Sequence, residues 1–408
     1  MIPYLNYKLN LKKITPVIFF AQMFTIFFVS AQQKKLSINN LQLNTITTAV
    51  PFLMIAPDAR SGSLGDAGAA TSPDANAIHW NPAKLAFIEK TSGVSLTYTP
   101  WLRKLVPDIS LSYLTGYYRY GKLQTFGLSL LYFSLGDIQF TGENGEDRGK
   151  GRPKEYAFTG VYSRKLSEAF SIGLDFKFVL SDLATGQMVG NKEVFSGKTL
   201  AGGFSMFYNK ELTIGETKNT ISSGLVISNI GNKITYTNSD DRDFIPGNIR
   251  FGLAYKYHID EYNAFCLTAD LNKLLVPTPP IRDANDSIIA GEDDKKELLD
   301  GIFGSFNDAP AGNEEELKEI NYATGVEYWY EQLFAVRAGY FHEDVLKGAR
   351  QYYTMGLGLR YNVFGLDFSY LVPASDQQTS NPLAETLRFT LSFDFEALDD
   401  GLVKPGEE

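Results

Sequence analysis

From Thr91 onward, apolar residues alternate with Gly, Ser, Thr or charged residues, and a period of two is typical of β-strands. In Phe170–Leu180, four apolar side chains face one way while Gly173, Asp175 and Lys177 face the other. A charge in mid-strand is tolerated in an aqueous lumen but not in lipid. The pattern therefore predicts strands with one face in a membrane and the other in the lumen of a barrel.

About fourteen such segments follow one another, and an even number of antiparallel strands is typical of a bacterial outer-membrane barrel. The predicted strands are Gly93–Thr99, Ile109–Tyr118, Thr125–Asp137, Glu155–Tyr162, Phe170–Leu180, Lys198–Tyr208, Thr220–Ile230, Asn248–His258, Asn263–Leu271, Asn321–Tyr330, Leu333–Phe341, Tyr352–Tyr361, Gly365–Tyr370 and Thr386–Phe395. The predicted fold is all-β: a transmembrane antiparallel β-barrel of about 14 strands over residues 91–395, with an N-terminal plug.

The connections between these segments alternate in length. Short links, of which Asn209–Asn219 is the longest, alternate with long ones such as Asn272–Ile320. Outer-membrane barrels have short periplasmic turns and longer outer loops. We therefore expect the loops to be extracellular and both termini, including a disordered periplasmic tail over 396–408, to lie in the periplasm.

The N-terminus predicts export. Three lysines precede the apolar run Ile14–Val29, and Val29-Ser30-Ala31 supplies the small residues that signal peptidase needs. A single membrane anchor is the alternative, but the run is shorter than the roughly 20 residues of a membrane helix. We expect residues 1–31 to be a signal peptide that is cleaved after Ala31.

Composition agrees with an exported membrane barrel. The chain has 408 residues, is 44% hydrophobic and 13% aromatic, and contains 23 Tyr and 29 Phe; aromatic residues form girdles at both membrane interfaces of such barrels. The formal charge of −9 becomes −12 once the three signal-peptide lysines are removed, which makes nucleic acid an unsuitable partner. Cys266 is the single cysteine, so an intrachain disulfide is impossible.

The N-terminal segment 32–90 contains a stretch rich in small residues, Arg60–Phe87. Its glycines allow tight backbone paths and its Asn-Pro step forces a bend. A barrel of about fourteen strands is too wide for its own side chains to fill, so we expect this stretch to be a plug in the lumen. The expected plug residues are Gly62, Gly65, Gly68, Asn81, Pro82 and Ala83. The alternative is an N-terminal cap on a soluble β-sandwich. The glycine spacing fits neither a dinucleotide fingerprint nor a phosphate loop.

The link Asn272–Glu319 contains twelve acidic and five basic residues, a net charge of −7. Long loops are usually functional or disordered, so this link is either a docking surface or a solvated acidic spacer. The apolar cluster at Gly301–Phe306 favours docking. Asp283-Ala284-Asn285-Asp286 lacks the glycine and terminal glutamate of a calcium loop, and a metal there is only a weak alternative.

The sequence contains no strong catalytic or metal-binding motif. His79, His258 and His342 share no local ligand spacing, and this pattern does not indicate a zinc site. His342 beside Glu343 and Asp344 could orient a serine, but no Gly-x-Ser-x-Gly elbow is present. Cys266 is most simply a small lumen-facing residue. We expect no catalytic residue, no metal, no cofactor and no enzymatic activity.

Several motifs resemble known families. The exported chain with a glycine-rich segment ending in Asn81-Pro82-Ala83 resembles the FadL family of outer-membrane transporters over most of residues 56–395. Further motifs occur in the right order for the outer-membrane shuttle proteins of the type IX secretion system. They are 56–60 (APDAR), 62–68 (GSLGDAG), 79–83 (HWNPA), 274–280 (LLVPTPP), 306–310 (FNDAP) and 315–320 (EELKEI).

This resemblance implies a binding and escort protein. Its expected partners are cargo proteins with a C-terminal signal domain, the translocon channel, the sortase-containing attachment complex and membrane lipid. Apolar residues in the predicted outer loops are candidate partner-binding residues: Trp101, Leu102, Phe244, Ile245, Ile302, Phe303 and Phe306. The alternative is a FadL-like transporter of hydrophobic small molecules, which has no need of the long acidic loop.

Overall fold

The computed structural model describes residues 44–101, 108–142, 145–189, 191–214, 217–238, 242–374 and 386–396. The expected signal peptide, residues 32–43, Leu102 and residues 397–408 lie outside the described residues. Fourteen strands form a closed barrel. They are β1 (Ser92–Pro100), β2 (Ser110–Tyr120), β3 (Gln124–Ser134), β4 (Lys154–Lys165), β5 (Phe170–Asp182), β6 (Gly197–Ile214), β7 (Thr217–Gly231), β8 (Asn248–His258), β9 (Asn263–Leu274), β10 (Asn321–Tyr330), β11 (Phe334–His342), β12 (Gln351–Tyr361), β13 (Phe364–Pro373) and β14 (Leu387–Phe395).

Each barrel strand pairs antiparallel with the next one, and β14 closes the barrel against β1 with Ser92 opposite Phe395. Closure leaves no strand edge unpaired, so every ladder is satisfied inside the barrel. The predicted strand number and antiparallel order are confirmed.

Exposure along the strands is the reverse of that in a soluble protein. In β1 the apolar residues Val94, Leu96 and Tyr98 are exposed, whereas Ser95 and Thr97 are buried. The same alternation occurs in β5, where Leu174 and Phe176 point outward. A barrel with apolar side chains outside and polar ones inside is suited to a lipid bilayer.

One predicted link is wrong. The sequence predicts a link over residues 209–219, but β6 continues to Ile214 and β7 begins at Thr217, with Leu212 opposite Asn219. β6 is 18 residues long and β7 is 15. Because Lys210, Glu211 and Lys218 are exposed there, the loss of apolar alternation marks strands that extend beyond the membrane and not the end of a strand.

Among the described residues, the long connections contain short sheets and helices of their own. Three two-stranded sheets form there: Ile138–Thr141 with Asp147–Gly151, Met188–Val189 with Lys192–Glu193, and Ile281–Arg282 with Ile288–Ala290. The β9–β10 connection contains two helices, Leu298–Gly304 and Asn313–Lys318. The N-terminal segment has its own short helices at Pro51–Met54, Ala59–Gly62, Ala77–Trp80 and Pro82–Phe87. In chain order, the α-helices are α1 (Ala59–Gly62), α2 (Ala77–Trp80), α3 (Leu298–Gly304) and α4 (Asn313–Lys318).

The two ends of the described chain lie at opposite ends of the barrel. The backbone N–H of Asn44 donates to the carbonyl of Leu346 in the long β11–β12 connection, at 3.1 Å. Glu396 instead pairs with Lys90 beside the start of β1, at the end with the short turns. The N-terminal segment therefore passes lengthwise through the barrel before β1 begins. That both termini lie in the periplasm stays a prediction, because residues 1–43 and 397–408 lie outside the described residues.

Candidate functional site

The N-terminal segment is hydrogen-bonded to strands around the whole barrel. The N–H groups of Gly68 and Ala69 both donate to Asp270 Oδ2 on β9, at 2.8 and 2.9 Å. Other bonds join Ala59 N to Thr390 Oγ1, Gly65 N to Thr354 Oγ1, Ala83 N to Ser205 Oγ and Thr125 Oγ1 to Leu85 O. Inward polar residues of β3, β6, β9, β12 and β14 thus satisfy backbone groups that the segment's irregular path leaves free.

All six expected plug residues are buried in this segment. Gly65 has a φ of 69°, and a Cβ there would lie 2.5 Å from the carbonyl oxygen of Tyr340. Asn81 Oδ1 accepts from Ala83 N, while its Nδ2 donates to the carbonyl of Ala69 at 2.8 Å. The small residues and the Asn-Pro bend therefore let the backbone turn in close contact with its neighbours, and the role of this segment as a plug stays a prediction.

Sequence reasoning missed the matching glycines of the barrel wall. A Cβ at Gly339 would lie 2.1 Å from Gly65 N, one at Gly356 2.4 Å from Ser63 Cβ, and one at Gly224 2.2 Å from the carbonyl oxygen of Ala69. The wall glycines that meet the segment in this way are Gly127, Gly173, Gly224, Gly252, Gly325, Gly339 and Gly356. Their signal in the sequence is a glycine at an inward position of a strand, where other barrels need a side chain to fill space.

A buried ion-pair network joins the segment to the wall. Glu327 on β10 accepts from Arg60 Nε at 3.0 Å and from Arg337 Nε at 2.6 Å. Arg337 also donates to Asp367, and Arg60 also donates to Asp74, each at 2.8 Å. Each of these arginines therefore has two carboxylate partners. Such a network is stable only when complete, because a buried charge that loses its partner is costly.

The lumen is filled unequally along its length. At the long-loop end, Phe52 and Leu53 pack in an apolar core with Leu111 and Tyr113. At the short-turn end a cavity of about 1020 Å³ remains, lined by turn residues such as Asp260 and by the segment itself. Within the described part of the chain, the segment and the apolar core lie between this cavity and the outer loops.

Two of the candidate partner-binding residues are buried, and the prediction that they are exposed is wrong. Phe244 is 8% exposed and Ile245 is 3% exposed. A Cβ at Gly301 would lie 2.5 Å from the ring of Phe244, so this ring lies directly beneath α3. Ile245 belongs to the apolar core at the long-loop end. Both are loop residues covered by another loop, which local sequence does not reveal.

Trp101 is half-buried against the same apolar core, and Leu102 lies outside the described residues. Ile302 is also half-buried, whereas Phe303 is 74% exposed and Phe306 is 50% exposed. Leu299, four residues before Phe303 and therefore on the same side of α3, is 62% exposed. We call Leu299, Phe303 and Phe306 the anchor face.

The acidic loop beneath this face is folded, with many of its acids paired. Lys273 Nζ donates to Glu316 Oε2 at 3.0 Å and to Glu319 Oε2 at 2.5 Å. Lys347 Nζ donates to Glu315 Oε1 at 2.6 Å and to Glu319 Oε1 at 2.9 Å. The description of this loop as a solvated spacer is therefore wrong. Lys273, at the end of β9, and Lys347, in the β11–β12 connection, thus fix α4 in place.

Asp308 should make the stability of this loop depend on pH. Burial, and then the neighbouring Glu316 and Glu319, raises the pKa of Asp308 from 3.8 to about 6, although Thr278 N–H donates to it. A carboxyl whose pKa is raised by folding favours the folded loop in acid, and this contribution is lost as pH rises from 3.8 to about 6.

We therefore expect the loop amides to be less protected from hydrogen exchange at pH 7.5 than at pH 5, after correction for intrinsic rates. Asp308→Asn should raise protection at pH 7.5 and remove most of the pH dependence. If the variant retains the full dependence, Asp308 is not its cause.

The metal and catalytic alternatives find no support in the geometry. Asp283 uses its carboxylate to accept from the N–H groups of Asn285 and Ser287, at 2.9 and 2.8 Å, as in an Asx turn. His342 stacks on Tyr322, with 4.5 Å between ring centres. Among the residues that the structure describes, no group of three or more His, Cys, Asp or Glu could hold a metal ion.

The closed barrel with an outward apolar belt defines an integral outer-membrane protein. No helix within the described ranges is long and apolar enough to span a membrane. The family model described as type IX secretion system protein PorV matches residues 38–281, more than half of the chain. The chain therefore belongs to the PorV family of type IX secretion system proteins, which is a secretion family and not an enzyme family.

Solved structures with a similar fold are distant in sequence. The Pseudomonas putida toluene transporter TodX is 10% identical, with a TM-score of 0.48 over 83% of this chain and 98% of its own. A FadL homologue from Pseudomonas aeruginosa is 11% identical, with a TM-score of 0.42 over 86% of this chain and 100% of its own. No curated protein matches the sequence.

Proposed function

We propose that this protein binds the C-terminal signal domain of exported cargo at its outer rim and escorts the cargo. The escort runs from the translocon channel to the sortase-containing attachment complex at the cell surface. The observation that carries the proposal is the anchor face: apolar side chains exposed on a loop that is itself held firmly in place.

Exposed apolar clusters mark partner sites, and a few aromatic anchors usually supply most of the binding energy of an interface. Phe303 is 74% exposed on a helix whose opposite side is packed on Phe244. Because Phe244 packs beneath α3 and holds it in place, the loop would lose little conformational entropy when a partner binds. Each anchor truncated to alanine should cost about 1–3 kcal/mol of binding free energy, or roughly five- to 150-fold in affinity.

The acidic loop would mainly raise the rate at which the protein and the cargo domain associate. Its net charge is −7, although Glu315, Glu316 and Glu319 are paired with lysines. Unpaired acids at the surface would attract basic patches of the cargo domain, so association should slow as salt rises. No bond is made or broken in this function.

The structure supports the passage of hydrophobic small molecules through the lumen less well than it supports cargo binding at the outer rim. The N-terminal segment meets seven wall glycines at distances that leave no space between them, and the apolar core with Phe52 and Leu53 fills the long-loop end. We propose that the N-terminal segment closes the lumen and that the protein binds its partner at the outer rim.

The double variant Phe303→Ala/Phe306→Ala tests this function in cells. We expect normal barrel assembly, judged by the different migration of unheated and boiled protein, together with cargo that is no longer anchored at the cell surface. The matched control is Leu123→Ala/Leu166→Ala, which removes two residues that are 49% and 54% exposed at the short-turn end.

Normal anchoring of cargo in the anchor-face variant would contradict the proposal. If, in addition, deletion of the whole protein blocks uptake of hydrophobic small molecules and spares secretion, the transporter function is correct.

A further inference from the structure

Outward-facing residues at the long-loop end of β3–β6 form three successive rows across the barrel wall. The first row is Leu130, Phe158, Phe178 and Leu200, the second is Tyr132, Tyr156, Leu180 and Lys198, and the third is Ser134, Lys154 and Asp182. The rows change from apolar to mainly aromatic and then to polar and charged. Because aromatic rings concentrate at the membrane interface, the third row lies at the level of the lipid headgroups.

The aromatic rings form an apolar surface next to this level, on the side of the bilayer core. The ring centres of Tyr132 and Tyr156 are 4.9 Å apart, and the rings of Tyr156 and Phe158 are stacked with their centres 6.5 Å apart. Phe158 is exposed, as is Leu200 two strands away. This surface is suited to the acyl chains of a lipid.

Two lysines at the edge of this surface have no partner among the described residues. Lys198 is exposed and Lys154 is half-buried, and the side chain of neither makes an ion pair or a hydrogen bond there. They lie on β6 and β4, which are two strand spacings or about 10 Å apart across the sheet. Asp182 is opposite Lys154, but its carboxylate accepts a hydrogen bond from Thr185 at 2.6 Å. Two ammonium groups are therefore available to an anion from the lipid.

Arg152 adds a third positive charge close to Lys154. Its side chain is 80% exposed and pairs with Asp137. An exposed ion pair of this kind contributes little to stability. The guanidinium of Arg152 can therefore exchange its carboxylate partner for a phosphate at small cost.

The sector formed by β12, β13 and β14 has no such cations at its long-loop end. Its outward residues there are Tyr353, Val372 and Leu387. The chain as a whole has a formal net charge of −9. Unpaired lysines in one sector of an acidic protein indicate a local binding site, since a general attraction to the membrane would not need them to be side by side.

We propose that Lys154 and Lys198 bind the phosphate groups of a lipid headgroup, with Arg152 at the edge of the site. The acyl chains of the same lipid pack on Tyr156 and Phe158. Ammonium groups bind phosphate as point charges, and basic residues beside a membrane attract anionic headgroups. With the long loops outside the cell, as the pattern of connections predicts, this lipid is a phosphorylated glycolipid of the outer leaflet.

Binding of lipid A to the purified, delipidated protein in a nonionic detergent tests the site. Each lysine beside an anionic headgroup should contribute about fivefold in affinity. We therefore expect Lys154→Gln/Lys198→Gln to bind lipid A about thirtyfold more weakly than the intact chain, as measured by titration in native mass spectrometry. Unheated and boiled samples of the variant should still migrate differently, which shows that the barrel has assembled.

The matched control is Arg164→Gln/Lys210→Gln, which removes two exposed positive charges at the short-turn end and should bind like the intact chain. Lipid A from which the phosphates have been removed enzymatically should bind about as weakly to the intact chain as lipid A does to the lysine variant. Equal binding of the two lipids, or an equal loss in both variants, would show that the lysines form no phosphate site. Displacement of lipid A by a large excess of inorganic phosphate would show a site for the free anion and would overturn the assignment to a lipid.

Discussion

Glu327→Ala is expected to lower the free energy of unfolding by about 3–5 kcal/mol. Glu327 is 3% exposed and accepts hydrogen bonds from two arginines, Arg60 of the N-terminal segment and Arg337 of β11. Its removal leaves both guanidinium groups with one carboxylate partner fewer inside the barrel. Asp74 and Asp367 remain as partners, but the buried cluster then carries one positive charge that no carboxylate compensates, and this costs more than the lost pair contributed.

Equilibrium unfolding in detergent, followed by tryptophan fluorescence, measures this change. Trp329 is a suitable reporter because the guanidinium of Arg337 lies 5.4 Å from the centre of its ring. Glu168→Ala is the matched control, since Glu168 is exposed in the short β4–β5 turn. A loss of less than about 1 kcal/mol, the usual value of a surface pair, would show that the network is open to water.

Deleting residues 62–83 is expected to turn a closed barrel into a conducting one. The deletion removes the part of the N-terminal segment that contacts wall glycines from β3 to β12. It leaves charged wall residues such as Asp270 and Arg337 facing an open lumen, and a barrel of about fourteen strands is wide enough for a water-filled channel. Planar-bilayer recordings should show steady conductance in the deletion variant and little in the intact protein.

Deleting the outer hairpin at residues 281–290 is the control, because this hairpin lies in the β9–β10 connection. That variant should stay closed. Equal conductance of the intact protein and the 62–83 deletion would mean that the N-terminal segment does not close the lumen.

The barrel was predictable because lipid imposes a simple rule on each strand. Outward residues must be apolar and inward ones are free to be polar, so the alternation appears within ten residues of sequence, as it does in Phe170–Asp182. The rule ends where the strand leaves the membrane. For this reason the alternation does not predict that β6 extends as far as Ile214 or that β7 begins as early as Thr217.

The contents of the lumen were only partly predictable. The small residues of the N-terminal segment indicated a confined path, but the partner of each one lies on a distant strand. Arg60 and Glu327 are 267 residues apart in the chain, and sequence periodicity says nothing about which inward charges meet. Nothing in the local sequence distinguishes Gly339 from other strand glycines, although the backbone of Gly65 packs directly against it.

The outer loops were the least predictable part. Phe244 and Phe303 are both phenylalanines in long connections, yet the first is 8% exposed and the second 74% exposed. What separates them is the packing of one loop upon another, with Gly301 of α3 covering the ring of Phe244. An apolar residue in a loop is therefore a candidate for either a loop core or a partner site, and only the tertiary structure decides.

The most direct test of the account is the affinity of the purified protein for a cargo C-terminal signal domain, measured for the intact chain and for Phe303→Ala/Phe306→Ala. Two anchors at about 1–3 kcal/mol each predict at least a thirtyfold weaker complex for the double variant. The control Leu123→Ala/Leu166→Ala should bind like the intact chain. An unchanged affinity in the anchor-face variant would contradict the claim that this surface binds cargo.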